Sequence, residues 1–105
     1  MNKEIKLLNV SEAVADKYRS IIRNNENDSL DTIRKKLTRN YLLGMEIHNS
    51  FNRFVTRRYG NLLISVSLDH MEVLDIQNKK RRNRGIGMFI NPREKEELNK
   101  LLGIE

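Results

Sequence analysis

The spacing of hydrophobic positions changes once along the chain, near residue 60, and divides it into a helical part and a stranded part. Val14, Tyr18, Ile21 and Ile22 recur every three or four residues, as one face of an α-helix requires. Ser11 precedes them as a good N-cap, with Val10 and Ala15 placed as a weak hydrophobic staple. The polar stretch Asn24-Asn25-Glu26-Asn27-Asp28 ends this helix. A second helix starts at Asp28 or Ser29, with Leu30, Ile33 and Leu37 as its apolar stripe. The same spacing runs on through Tyr41, Ile47, Phe51, Phe54 and Val55. Residues 29–58 therefore read either as one helix of about 30 residues, long for a small domain, or as two helices broken near 40–44. The break is the favoured reading, because Gly44 weakens a helix by about 1 kcal/mol.

Tyr59-Gly60-Asn61 reads as a helix stop, and beyond it the period becomes two. Ile64, Val66 and Leu68 alternate with Ser65, Ser67 and Asp69. A turn near Asp69-His70 leads into a second alternating run from Met71 to Gln77. Ile86, Met88 and Ile90 then alternate with Gly87 and Phe89, so the pattern predicts a three-stranded antiparallel meander. Asn91-Pro92-Arg93-Glu94 is the cleanest helix start in the chain, with Asn91 as N-cap, Pro92 at N1 and Glu94 at N3. Leu98, Leu101 and Leu102 form the apolar face of this last helix, and Gly103 is a natural residue just past its end. The expected fold is α+β, one domain over residues 1–105: two or three N-terminal helices, the meander with a basic hairpin loop, and a C-terminal helix.

Charge adds a partner class to this picture. The chain of 105 residues carries a formal net charge of +6, and the excess is clustered. Residues 34–60 hold seven cations, Arg34, Lys35, Lys36, Arg39, Arg53, Arg57 and Arg58, against the single anion Glu46. Lys79-Lys80-Arg81-Arg82-Asn83-Arg84 places five cations in six residues at the tip of the predicted hairpin. Clustered cations neutralise phosphates and release counterions, so nucleic acid is the expected partner, DNA over RNA. Lys79, Lys80, Arg81, Arg82 and Arg84 would touch phosphates; Gly85 and Gly87 would allow a tight turn and a close backbone approach. The plainer alternative is a solvated hairpin tip whose charges keep an edge strand from aggregating. A homodimer is expected on the DNA reading, since one domain of this size reads few base pairs.

Helices followed by a basic hairpin resemble a winged helix-turn-helix domain. The resemblance implies that a helix enters the major groove while the hairpin flanks it on the backbone. Here the segment ending at Arg53, Arg57 and Arg58 would be that helix, with Asn49 and Asn52 as base readers. The small, turn-forming residues that join the two helices of that motif are missing from this chain. Arg82-Asn83-Arg84-Gly85-Ile86-Gly87 is similar to the Arg/Gln-x-x-Gly-x-Gly loop with which a family of acetyltransferases holds the pyrophosphate of acetyl-CoA. In that family a helix runs directly out of the loop, whereas residues 86–90 alternate like a strand and Pro92 interrupts. No enzymatic activity and no cofactor are therefore expected. The small, cysteine-free, Asn- and Lys-rich composition also resembles that of phage and mobile-element accessory factors. That likeness implies a host protein as partner, with the basic blocks meeting its acidic patch and the apolar helix stripes supplying the anchor.

Other chemistry finds little support. Cysteine is absent, which excludes disulfides, thiol catalysis and cysteine-ligated zinc. No apolar run approaches the roughly 20 residues of a membrane span. Met1-Asn2-Lys3-Glu4-Ile5 lacks the hydrophobic core of a signal peptide, and the expected location is the cytoplasm. His48 beside Glu46 and His70 beside Asp69 do not close a metal site by spacing. Asp69, Glu72 and Asp75 read as solvent-facing strand residues that balance nearby cations, and Ser65 and Ser67 have no base near them in sequence. Phe51, Phe54 and Phe89 have core spacing. Tyr41 and Tyr59 flank the basic segment, where they either stack on bases or sit at the edge of the core.

Overall fold

A computed structural model describes residues 5–22, 25–50, 53–79 and 90–104. Two helices come first. Ser11 accepts a hydrogen bond from the Val14 amide and starts α1 (Glu12–Ile21); Ser29 does the same for Thr32 and starts α2 (Leu30–Leu43). Each cap satisfies one of the backbone donors that a helix leaves free at its start. Four strands follow, β1 (Met45–Ser50), β2 (Phe54–Tyr59), β3 (Leu62–Ser67) and β4 (Glu72–Asn78), and then α3 (Pro92–Leu102). The strands form one antiparallel sheet in the order β1-β2-β3-β4.

The fold class is α+β, as the patterns predict, but residues 45–50 and 54–59 are two antiparallel strands and not a third helix. The chain does break at Gly44, and its close approach to β2 shows how tightly the turn is packed. A Cβ there would lie 3.0 Å from the Asn40 carbonyl oxygen and 3.1 Å from that of Arg58. Gly44 thus takes the extended conformation that turns the chain off α2 and lets β2 pass beside it. Beyond it Val55 and Thr56 are β-branched and Phe54 and Tyr59 aromatic, which favours strand over helix. Tyr59-Gly60-Asn61 is accordingly no helix stop: Gly60, at φ +61, opens a two-residue hairpin turn between β2 and β3. The alternation predicted over 64–68 and 71–77 is present as β3 and β4. The strand predicted over 86–90 falls almost wholly outside the described residues, as do Gly85, Phe51 and Asn52.

One core joins the layers. α1 and α2 pack on a single face of the sheet, and Leu8, Val14, Ala15, Tyr18, Ile33, Leu37 and Tyr41 meet Leu62, Ile64, Val66, Val73 and Ile76 there. Burying each of the larger side chains contributes about 1.5–3 kcal/mol. The segment before α1 is clasped onto this core. Its Leu8 amide donates to Thr38 Oγ1 at 3.0 Å, its Leu8 carbonyl accepts from Arg34 Nε at 3.0 Å, and Asn9 bridges to β4. α3 lies against α2, held by Leu102 and Ile104, each only 8% exposed. Its start is the one predicted: the Asn91 side chain accepts from the amides of Arg93 and Glu94, and Gly103 closes the helix at φ +70. The expected apolar face is half right, because Leu102 is buried while Leu101 is 54% exposed. Among the described residues no helix is long and apolar enough to cross a membrane.

Candidate nucleic-acid interface

The seven cations of residues 34–60 do not form one surface. Lys35 pairs with Asp31 at 3.1 Å, one turn earlier on α2. Arg34 is spent on the Leu8 carbonyl. Arg53 lies exposed in the turn between β1 and β2, at the far end of β2 from Arg58. No recognition helix ends at Arg53, Arg57 and Arg58, because alternation along β2 sends Arg57 and Arg58 to opposite faces of the sheet. Arg57 pairs in register with the buried Ile64 and therefore faces the helices. Its guanidinium lies 4.3 Å from the Tyr41 ring centre and donates to the Tyr41 carbonyl at 3.0 Å. Its Nε is buried with no hydrogen-bond partner among the described residues. Tyr41 is itself 5% exposed, so its ring is a platform for Arg57 rather than for a base. Asn49, the other expected base reader, is on the exposed edge strand β1.

The remaining cations gather elsewhere. A cleft of about 740 Å³ opens between α1, α2, α3 and the β2–β3 turn. Lys36, Arg39 and Lys95 line it together with Tyr18, Tyr59 and five asparagines, Asn25, Asn40, Asn61, Asn78 and Asn99; among the described residues no carboxylate lines it. Lys36 is neutralised, since it donates to Asp28 Oδ2 at 2.6 Å and to Asn25 Oδ1 at 2.7 Å. Arg39 is held differently. Its Nε donates to Asn40 Oδ1 at 3.0 Å and its Nη1 to Asn99 Oδ1 at 2.9 Å. Both acceptors are neutral amides, so the guanidinium is oriented without losing its charge. Lys95 Nζ stands 5.8 Å from the Tyr59 ring centre. Neither Arg39 nor Lys95 has a carboxylate partner among the described residues.

Lys79 lies beside this cleft. Its amide donates to the Asn61 carbonyl at 2.7 Å, and its carbonyl accepts from Arg58 Nη1 at 2.9 Å, which also reaches Gly60. Arg58 therefore ties the β2–β3 turn to the end of β4. Lys80, Arg81, Arg82 and Arg84 lie outside the described residues. Tyr18 forms part of the cleft lining, and burial pushes its hydroxyl up to about 12, with the positive charge of Arg39 opposing the rise. Asp75, expected to balance cations, does so: Lys17 donates to it at 2.7 Å and holds its carboxyl below the ordinary range. Among the described residues no three His, Asp or Glu side chains converge as metal ligands.

Sequence reasoning missed Lys95 and Asn99, which complete the cleft. They stand four residues apart on α3 and so share one helix face, a spacing visible in the sequence. The asparagines Asn61 and Asn78 carried no such signal, because only the pairing of β3 with β4 brings them together.

The family model of YorE matches residues 8–101, which cover all the elements described above except the last residue of α3. The chain belongs to the YorE family. This is a phage-type family, in keeping with the likeness to phage accessory factors. Comparisons with curated proteins and with solved structures give no match.

Proposed function

We propose that this member of the YorE family is a small nucleic-acid-binding protein, with DNA as its expected partner over RNA, and that it acts by binding rather than by catalysis. The observation that supports this best is the pair of uncompensated cations, Arg39 and Lys95, in a cleft lined by amides and aromatic rings. Arg39 is held in place by neutral acceptors, so little ordering remains to be done when an anion arrives. A phosphate there would supply the missing counter-charge. The five-cation run that begins at Lys79, beside the cleft, supplies further phosphate contacts along the same polyanion.

Fluorescence anisotropy with labelled DNA and RNA between about 50 and 200 mM salt tests the reading. Contacts to about four phosphates would give a slope of log affinity on log salt near −3.6 for duplex DNA. Replacing Arg81, Arg82 and Arg84 by Ala should weaken binding at least tenfold and flatten that slope by about 2.7, with melting unchanged. No binding by micromolar protein at the lowest salt would sink the proposal.

A second reading has its own observation. Leu42, Leu43, Leu98, Leu101, Met71 and Ile5 line a groove of about 570 Å³, rimmed also by Lys6, Glu94 and Glu97, in which Leu42 and Leu101 are exposed. On this reading, in keeping with the phage-type family, the protein inhibits a host protein, whose acidic patch meets the basic surface while the groove takes an apolar anchor. It is preferred if nucleic acid fails to bind and an acidic protein ligand shifts the protein's mobility instead.

A further inference from the structure

We infer that the cleft seats unpaired nucleotides, so that the ligand is a single-stranded segment of nucleic acid rather than an intact duplex; the inference rests on the nucleic-acid reading above. Size argues first. At about 740 Å³ the cleft falls within the range of pockets that hold small ligands, about 300–1,000 Å³. Asn40, one of the two amides that hold Arg39, is only 4% exposed. A paired duplex is a broad convex surface with its bases stacked inside. It cannot follow a recess of this size, whereas a splayed nucleotide can.

Chemistry argues second. A base in a single strand offers a ring face and a free Watson–Crick edge beside each phosphate. Tyr59 offers the cleft a ring, and Lys95 Nζ, which lies over that ring 5.8 Å from its centre, would turn to the adjoining phosphate when a base takes its place. Asn61, Asn78 and Asn99 line the cleft with side-chain amides; the Asn99 oxygen is taken by Arg39 and one Asn78 hydrogen by the Ile21 carbonyl, so Asn99 offers chiefly a donor and Asn78 an acceptor to a base edge. Among the described residues no lining carboxylate repels the phosphate.

Among the described residues the duplex reading also lacks its instrument. A major groove is read by a helix or a two-stranded ribbon that presents cations and amides outward. Among the described helices, α3 has Glu94, Glu96 and Glu97 at exposed positions, and the lysines of α2 are paired with Asp31 and Asp28. The cations of β2 are divided between the two faces of the sheet.

The test compares three labelled probes of one sequence by anisotropy at fixed salt: a twelve-nucleotide DNA strand, the same strand as RNA, and its blunt DNA duplex. A single strand, as DNA or RNA, should bind at least about tenfold tighter than the duplex. Tyr59→Ala should remove about tenfold of single-strand affinity and leave duplex affinity unchanged, while Tyr59→Phe, which keeps the ring, should bind as the natural protein does. If Tyr59→Ala does not fold, Lys95→Gln reads the same contact, with a loss of about 0.7 in the single-strand salt slope and none on the duplex. A duplex that binds as tightly as the strands overturns the inference while leaving the nucleic-acid reading in place. The same holds if Tyr59→Phe binds as weakly as Tyr59→Ala. If no probe binds even at about 50 mM salt, the broader reading fails with it.

Discussion

Arg39 and Arg57 belong to the same basic stretch, yet one lies in an open cleft and the other is packed against the core. Around Arg57 the charge is turned inward: the guanidinium lies on Tyr41, bonds a main-chain carbonyl, and fastens β2 to α2. Around Arg39 the charge is kept available, because its two bonds go to asparagine oxygens in an open cleft. A count of cations along the chain gives both the same weight. What separates them is where the guanidinium lies, stacked on a buried ring or open to a cleft, and in β2 a single step along the strand. Arg57 faces the core while Arg58 faces away, so neighbours in sequence serve different purposes.

Undocking α3, which carries Lys95 and Asn99 into the cleft, should have the largest effect on the region around Arg39. Leu102→Ala should cost about 2–5 kcal/mol of stability, since Leu102 is 8% exposed and pins α3 to the body of the protein. Leu101→Ala, one position earlier, should stay within about 0.5 kcal/mol because its side chain is already mostly in water. Urea denaturation of the pair decides this. Equal losses would mean that both leucines are core residues and that the wall of the cleft is misplaced.

The two arginines can then be set against each other directly. Arg57→Ala should lower stability by about 1–3 kcal/mol, combining a lost cation–ring contact with a lost hydrogen bond, and should leave nucleic-acid affinity unchanged. Arg39→Gln should do the reverse, lowering affinity and flattening the single-strand salt slope by about 0.7 with a smaller loss of stability. An Arg57 variant that folds normally but no longer binds would move the interface to the sheet.

Much of the scaffold is legible in the order of residues alone. Ser11, Ser29 and Asn91 begin helices because a side-chain oxygen placed before an apolar periodicity has one obvious use, and all three caps are formed. The alternation over residues 64–68 and 71–77 is equally local, and it is present as β3 and β4. The helical reading of residues 45–59 fails because Ile47, Phe51, Phe54 and Val55 happen to recur at helical intervals. The strand identity of Phe54 and Val55 comes from pairing with β3, where Phe54 meets Ser67 and Val55 meets Val66, and such long-range partners leave no periodic trace. The cleft is legible only in part for the same reason. Arg39 and Lys36 stand out as cations, and Tyr59 as an aromatic beside them. The meeting of α2, α3 and the β2–β3 turn, which makes those residues neighbours of Lys95, Asn61 and Asn78, is a property of the packed chain alone.

The smallest expected effect is one of pH, and it sharpens the same contrast, because each region sets an arginine against a buried tyrosine. Burial raises Tyr18 to about 12 and also raises Tyr41, while Arg39 and Arg57 respectively oppose the rise. Both tyrosines ionise less readily in the folded chain than in the unfolded one, whose ordinary value is 10.0. Their contribution is therefore fully present below that value and is lost as pH climbs through the folded one. For Tyr18 the window is from 10.0 to about 12. Melting temperature should fall across this window, and Tyr18→Phe should flatten the fall. Arg39→Gln should push the Tyr18 titration higher still, as followed by ultraviolet absorbance of tyrosinate, and leave Tyr41 where it is. Arg57→Ala should act on Tyr41 alone. A single variant that moved both titrations would show that the two arginines share one field, and the division between an inward and an available charge would then be lost.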